Sequence, residues 1–402
     1  MDPVELLREL VSINSVFPNE SRIGEFTEAR LKELGFSVQR QQIANDRFNV
    51  LAERGNRTQD QPNDVSFDGP LVARADQLDT EPGTLLLYAH LDTVPVYGNW
   101  KSDPFVLQED GERLHGLGAY DIKSGIAAIL KACETKSERR VKVAFCVDEE
   151  NDSAGAHALC ESDFIRDVEG VVATEILDVS NPSSNCVMLG RRGRCVLQLE
   201  VPGRSAHGGH SSEGVNAINE AARLVGRLGA MELPSHPLLP KPNQFIRKMA
   251  AESTSLSVPD TAIVELDRHL VNPETPETAR VDVQKFIDSL YESGEFREID
   301  GRRIVVGVKP RDVPYLLPYT TPNSSDLANR VCGAVKGVMN SEPRFVYGAS
   351  VADENIFAMH GLPVVTVGPV GGNQHQANEW IEKKSYLELI EVLKRIIGPG
   401  EE

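Results

Sequence analysis

His90 and Asp92 stand two residues apart at the close of an apolar run over 85–89. Later apolar runs close in the same manner. The run over 141–147 meets Asp148, Glu149 and Glu150, the run over 171–174 meets Glu175, and the run over 363–367 leads into the loop that holds His375. Imidazole nitrogens and carboxylate oxygens gathered this way suit zinc or a similar divalent ion, or a pair of them. A pair needs a shared ligand, and one carboxylate can bridge two ions through its two oxygens. Asp121 lies in a glycine-rich loop just ahead of a helical run at 126–130 and joins the set. Adjacent side chains at a strand end point apart. One of Glu149 and Glu150 can therefore ligate while the other faces a bound water as general base. A nearby cation removes the repulsion that two such buried acids would otherwise feel. Asp92 is placed to accept the proton on the second ring nitrogen of His90.

Taken singly, each of these residues has a plainer explanation. A histidine after a strand is most often a hydrogen-bonded loop residue. Paired glutamates are usually a charged surface, and an aspartate before a helix is usually its N-cap. The recurrence of such residues at strand ends is what favours a metal.

The elements that must position them follow from periodicity. Apolar residues at helical spacing mark 2–13 and 21–34, and Gly35 is the natural stop of the second. Strands are expected at 36–38, 48–52, 84–89, 141–147, 171–174 and 363–367, with helices at 325–338, 353–359 and 382–397. The polar stretch 54–70 reads as a surface loop. Strands alternating with helices predict an α/β fold with a mixed, mainly parallel sheet and helices on both faces. Ligands in such sheets bind outside the carboxyl ends of the strands, where the histidines and acids fall. Near Leu189 the texture changes to strand, helix, two strands, helix, strand, the pattern of a small two-layer α+β sandwich. The expected organisation is a catalytic domain in two parts, 1–188 and 309–402, with an inserted domain at 189–308.

A chain of 402 residues exceeds the usual size of one domain. The net charge of -18 argues against nucleic acid or an anionic membrane as partner. No apolar run is long enough to span a bilayer, and the first 20 residues do not read as a secretory segment. The six cysteines form no CxxC pair and read as reduced thiols of a cytoplasmic protein rather than a secreted disulfide framework.

Six stretches, in order, resemble the metallopeptidase family M20, which includes glutamate carboxypeptidases, acetylornithine deacetylase, succinyl-diaminopimelate desuccinylase and aminoacylases. They are His90-Leu91-Asp92-Thr93-Val94-Pro95, Gly118-Ala119-Tyr120-Asp121-Ile122-Lys123-Ser124-Gly125, Asp148-Glu149-Glu150, Gly203-Arg204-Ser205-Ala206-His207, Gly214-Val215-Asn216-Ala217-Ile218 and His375-Gln376-Ala377-Asn378-Glu379. The resemblance implies a zinc-peptidase-like catalytic domain and a ferredoxin-like lid and dimerisation domain. It implies two divalent ions, zinc first, with cobalt or manganese as alternatives. His90 and Glu175 would hold one ion, Glu150 and His375 the other, and Asp121 would bridge them. Asp178 is the rival to Glu175. Glu149 would be the general base and Asp92 would orient His90. In dimeric members the histidine matching His207 reaches the partner subunit's active site and helps stabilise an oxyanion. Arg268 matches an arginine that holds a substrate carboxylate, and Asn216 and Asp353 are further candidates for substrate binding. The family's glycine-threonine-aspartate segment is replaced here by Gly348-Ala349-Ser350-Val351-Ala352-Asp353, so the substrate pocket is where this chain departs from the pattern.

The implied reaction is hydrolysis of the amide of a small N-acyl amino acid, in the manner of acetylornithine deacetylase. Cleavage of a dipeptide or of a short peptide's C-terminus would use the same chemistry. A non-catalytic binding protein on this fold is the reading from a different class.

Overall fold

The computed structural model describes residues 1–55, 83–137, 139–253 and 255–398. Beyond residue 55, the polar stretch read as a loop lies outside the described residues.

The strand Thr84–His90 is buried along its whole length, and everything that positions the candidate site is arranged around it. It pairs in parallel with Val141–Cys146 on one side and Val168–Thr174 on the other. Val168–Thr174 pairs in turn with Val364–Val367, also in parallel. The registers set His90 beside Cys146 and Thr174 beside Val367. The carboxyl ends of these strands are therefore level, and the residues that follow each of them emerge at one edge. The flanks run antiparallel, with Arg47–Arg54 against Val141–Cys146, Ser37–Ala44 beyond it, and Cys186–Arg191 against Val364–Val367. The sheet is thus mixed, with a parallel centre.

Alternation along Thr84–His90 supplies both faces with core. Leu85, Leu87 and Ala89 join the large apolar cluster that includes helices Pro3–Ser12, Ser124–Ala132 and Lys383–Ile397. On the opposite face Tyr88 stands edge-on to Phe357 of helix Glu354–Met359, ring centroids 4.9 Å apart. Each fully buried Leu or Val side chain contributes about 1.5–3 kcal/mol to this packing. Gly125 lets helix Ser124–Ala132 approach the sheet, because a Cβ there would lie 2.3 Å from Thr174 Oγ1.

The chain divides into two compact units. One comprises Met1–Gly190, Thr320–Gly348 and Ala352–Glu402, and the other Arg191–Tyr319 with Ala349–Val351. The smaller unit is an antiparallel sheet in the order Gln244–Ala250, Thr261–Leu270, Gly193–Pro202, Val305–Val308. Helices Ala217–Leu228 and Pro276–Glu292 contribute to its apolar core. Its second boundary falls later in the chain than the one read from sequence at 308. Lys309 N–H donates to Val196 and Arg194 N–H to Leu316, so the segment after Val305–Val308 stays tied to the strand Gly193–Pro202.

Two features escaped the periodicity. Cys186–Arg191 is a strand of the large sheet that runs across the expected domain boundary at 188–189. A further small sheet joins Gly371–Gly372, Trp380–Glu382, Arg113–His115 and Gln108–Asp110. Its strands are too short to show an alternating pattern.

Candidate metal centre

Asp121 occupies a tight turn, Ala119–Lys123, immediately before helix Ser124–Ala132. Its own backbone is not helical, with φ −120° and ψ 87°. It is therefore not the cap of that helix, and its carboxylate is free to face the strand ends. Oδ1 lies 3.2 Å from His90 Nε2 and Oδ2 lies 3.2 Å from His375 Nε2. His90 Nε2 is also 3.3 Å from Glu175 Oε2, and His375 Nε2 is 3.0 Å from Glu150 Oε2. The result is two triads, His90–Asp121–Glu175 and Asp121–Glu150–His375, each with ligand atoms within 4.8 Å of one another. Asp121 is common to both.

Each ring nitrogen has one position for a proton, yet each of these two faces two carboxylate oxygens. Glu150 Oε1 is buried and has no hydrogen-bond partner among the described residues. A cation placed between the groups would satisfy all the oxygens at once, so the donor set fits a pair of divalent ions. The electrostatics agree. Hydrogen bonds to Asp121 and Glu150 push His375 up to about 11. Burial works against ionisation of Asp121, but His375 and His90 hold its carboxyl below the usual carboxylate range. Burial, reinforced by the charge of Asp121, pushes Glu150 up to about 7 and also raises Glu175. These carboxylates crowd one another, and a bound cation relieves that crowding.

Glu149 belongs to neither triad. Burial drives its carboxyl well above the ordinary range; His90 opposes the shift while the charges of Glu150 and Glu175 add to it. The turn that carries it is strained at Asp148, where φ is +79°. Asp148 is pinned by Arg47 at 2.8 Å and accepts the N–H of Ala154 at 3.0 Å.

The arrangement around Asp92 differs from the sequence expectation. The second nitrogen of His90, Nδ1, is 3.0 Å from the main-chain oxygen of Asp92 and 3.6 Å from its carboxylate. The carboxylate instead accepts the backbone N–H groups of Glu149 at 3.2 Å and Glu150 at 2.9 Å. Asp92 thus orients His90 through its carbonyl and holds the Glu149–Glu150 turn through its side chain.

Of the rival acids, Glu175 and not Asp178 is brought into the triad with His90. Two other candidates have buried side chains. Arg268 lies inside the smaller unit with a fully buried side chain, and its guanidinium donates to Glu274. Its Nε and Nη1 are buried with no hydrogen-bond partner among the described residues. Asp353 is also fully buried, bonded to the hydroxyl of Tyr88, and burial pushes its carboxyl up to about 7. It lies beneath the strand that carries His90 rather than on an open surface. Asn216 caps helix Ala217–Leu228 by accepting the N–H of Ile218 at 2.9 Å. His207 is exposed on the smaller unit, and its Nδ1 accepts the N–H of Gly209 at 3.1 Å. A neutral His207 therefore carries its proton on Nε2, outward as a donor.

Sequence reasoning missed Glu379, whose carboxylate accepts three backbone N–H groups of the Asp121 loop. The signal was available, since Glu379 closes the same motif as His375. Tyr88 was hidden inside an apolar strand and carried no signal of its own.

Strand ends level at one edge, a shared aspartate and two histidine triads define a metal-dependent amidohydrolase or peptidase. The chain belongs to Peptidase family M20/M25/M40, which matches residues 86–398. Among curated relatives it is 25% identical to the succinyl-diaminopimelate desuccinylase of Wolinella succinogenes, over 77% of this chain and 82% of that one. It is 28% identical to the acetylornithine deacetylase of Photorhabdus laumondii, over 56% and 54%. Among solved structures it resembles a tripeptidase from Staphylococcus aureus with a TM-score of 0.73 and 20% identity, covering 98% of this chain and 96% of that one. It also resembles a dinuclear metal-binding peptidase of the M20 family from Bacillus subtilis with a TM-score of 0.69 and 13% identity, covering 98% and 96%.

Proposed function

We propose that the protein hydrolyses the amide bond of a small N-acyl amino acid, in the manner of an acetylornithine deacetylase, at a two-metal site. The observation that carries the metal chemistry is Asp121, which turns one carboxylate oxygen to each histidine. His90 and Glu175 would hold one ion and Glu150 and His375 the other, with Asp121 shared between them. Zinc suits this set, and cobalt or manganese would also suit it. Bound ions would supply an acidified water and polarise the scissile carbonyl.

The chain's own residues do the rest. Glu149, its carboxyl raised by burial, takes the proton from the attacking water and passes it to the leaving amine. Asp92 fixes the turn from which Glu149 projects. In a dimer, as in the dimeric members it resembles, His207 would donate to the developing oxyanion in the partner subunit's active site.

The deacylase reading is supported by the names of the two curated relatives, a desuccinylase and a deacetylase. Cleavage of short peptides is the second reading, favoured by the likeness to the tripeptidase over nearly the whole chain. A hydrolysis screen separates them. Metal-loaded protein is offered N-acetylornithine, N-succinyl-diaminopimelate and other N-acyl amino acids beside unblocked di- and tripeptides, with a chelated control. Chelator-sensitive release of acetate or succinate is expected. Cleavage of the free peptides alone would overturn the deacylase reading.

We further infer a homodimer through the smaller unit. Among the described residues its edge strand Gln244–Ala250 pairs on one side only and leaves Phe245 and Met249 about half exposed. An open sheet edge is a liability that pairing with a second copy removes. Sedimentation giving a monomer at micromolar concentration would contradict it. Six free cysteines suit a cytoplasmic setting.

A further inference from the structure

Glu379 ligates in neither triad, yet it is only 1% exposed and stands in the same loop as His375. Its Oε1 accepts the N–H of Tyr120 at 2.7 Å and of Asp121 at 2.9 Å, and its Oε2 accepts that of Gly118 at 3.0 Å. Its main-chain oxygen accepts the N–H of Gly116 at 3.2 Å. Four backbone donors of the loop that presents Asp121, those of Gly116, Gly118, Tyr120 and Asp121, thus converge on one residue. We propose that Glu379 is a positioning residue that sets the place of Asp121, so that both ions depend on a side chain that touches neither. The inference rests on the two-metal reading above and deepens it.

The physical argument has three parts. Three backbone N–H groups held by one buried side chain form a multidentate clamp, which is stiffer than any single bond. Its far end is anchored, because the strand Trp380–Glu382 that follows Glu379 pairs with Arg113–His115, which precedes the clamped loop. The loop also has little room to relax. Gly118 sits at φ +76°, and a Cβ there would lie 2.7 Å from Thr93 Cγ2. The N–H of Asp121 is itself one of the clamped groups. A displacement of that residue moves Oδ1 from His90 and Oδ2 from His375 together. Loss of Glu379 must therefore weaken both sites, whereas loss of His375 removes a ligand from one.

The test is zinc titration of chelator-stripped full-length protein by calorimetry with a competing chelator, comparing wild type, Glu379→Ala, Glu379→Gln and His375→Ala. Wild type binding two ions is the control for the two-metal reading; if it fails to do so, that reading falls. Given two ions in wild type, Glu379→Ala is expected to weaken both by about 10–100-fold. Glu379→Gln keeps an oxygen for the N–H groups of Tyr120 and Asp121 but turns an amide N–H toward that of Gly118, so an intermediate loss at both sites is expected. His375→Ala is expected to weaken one ion only. A purely structural role would lower the melting temperature of the metal-free variants and leave the zinc affinities of the folded protein unchanged. Wild-type affinities in either folded Glu379 variant would overturn the proposal, and so would weakening confined to one ion. If Glu379→Ala does not fold, Glu379→Gln decides on the same criteria.

Discussion

The carboxylate of Asp92 accepts the backbone N–H of Glu149 at 3.2 Å. The residue next but one to the first histidine therefore steadies the turn that carries the proposed base. Replacing Asp92 with alanine frees that turn. Turnover is expected to fall about 10–100-fold, the usual cost of removing a partner behind a metal ligand. Steady-state kinetics alongside metal analysis checks this, and an Asp92→Ala enzyme of normal kcat would contradict it.

Glu149 itself lies outside both triads. Glu149→Ala is expected to lose about 10²–10⁴-fold in turnover, the range of general acid–base catalysis, while retaining its full metal content. Elemental analysis of the purified variant separates loss of the base from loss of a ligand.

Arg268 tests the small unit. Its guanidinium is wholly buried with Glu274. Removing one partner of a buried ion pair costs about 3–5 kcal/mol, because the other charge is left uncompensated. Arg268→Ala is expected to lower the denaturation midpoint sharply. A variant of normal stability with a raised KM would restore the substrate-binding role read from the sequence.

Tyr88 and Asp353 form a buried pair beneath His90. Tyr88→Phe leaves the Asp353 carboxyl without that donor, at an expected cost of about 1–3 kcal/mol. Urea denaturation of the variant measures it.

The pH dependence of the metal-free protein follows from the same crowding. Burial pushes Glu150 and Asp353 each up to about 7. A carboxyl whose pKa is higher folded than unfolded favours folding while protonated, and that contribution fades as pH rises toward the folded value. The melting temperature of chelator-stripped protein is therefore expected to fall between about pH 5 and pH 7. Lys123, lowered to about 7 by burial, would act in the opposite sense only above that window. Zinc-loaded protein is expected to lose the part of this slope that Glu150 supplies, since a cation keeps that carboxylate ionised, and to keep the part from Asp353.

Much of this architecture was legible in the sequence, for a physical reason. Buried parallel strands need long apolar runs, and ligands emerge where those runs stop. His90, Glu149, Glu150, Glu175 and His375 could be found by reading the chain, and the structure brings all but Glu149 into the triads. What periodicity could not show was direction. Asp92 and Glu379 do their holding through backbone N–H groups, which have no residue-type signature. Arg268 rests on the resemblance alone, because a buried guanidinium inside a strand has no periodic signature that tells a substrate hold from a structural ion pair. The short strands Gly371–Gly372 and Arg113–His115 were too brief to announce themselves.

The most direct test of the two-metal account is anomalous scattering at the zinc edge from crystals of the zinc-loaded protein. Two peaks are expected, one against His90 and Glu175 and one against Glu150 and His375, each about 2.0–2.2 Å from its nitrogen and oxygen ligands. Both should touch Asp121, one at each carboxylate oxygen. A single peak that leaves His375 unligated, or zinc bound away from Asp121, would contradict it.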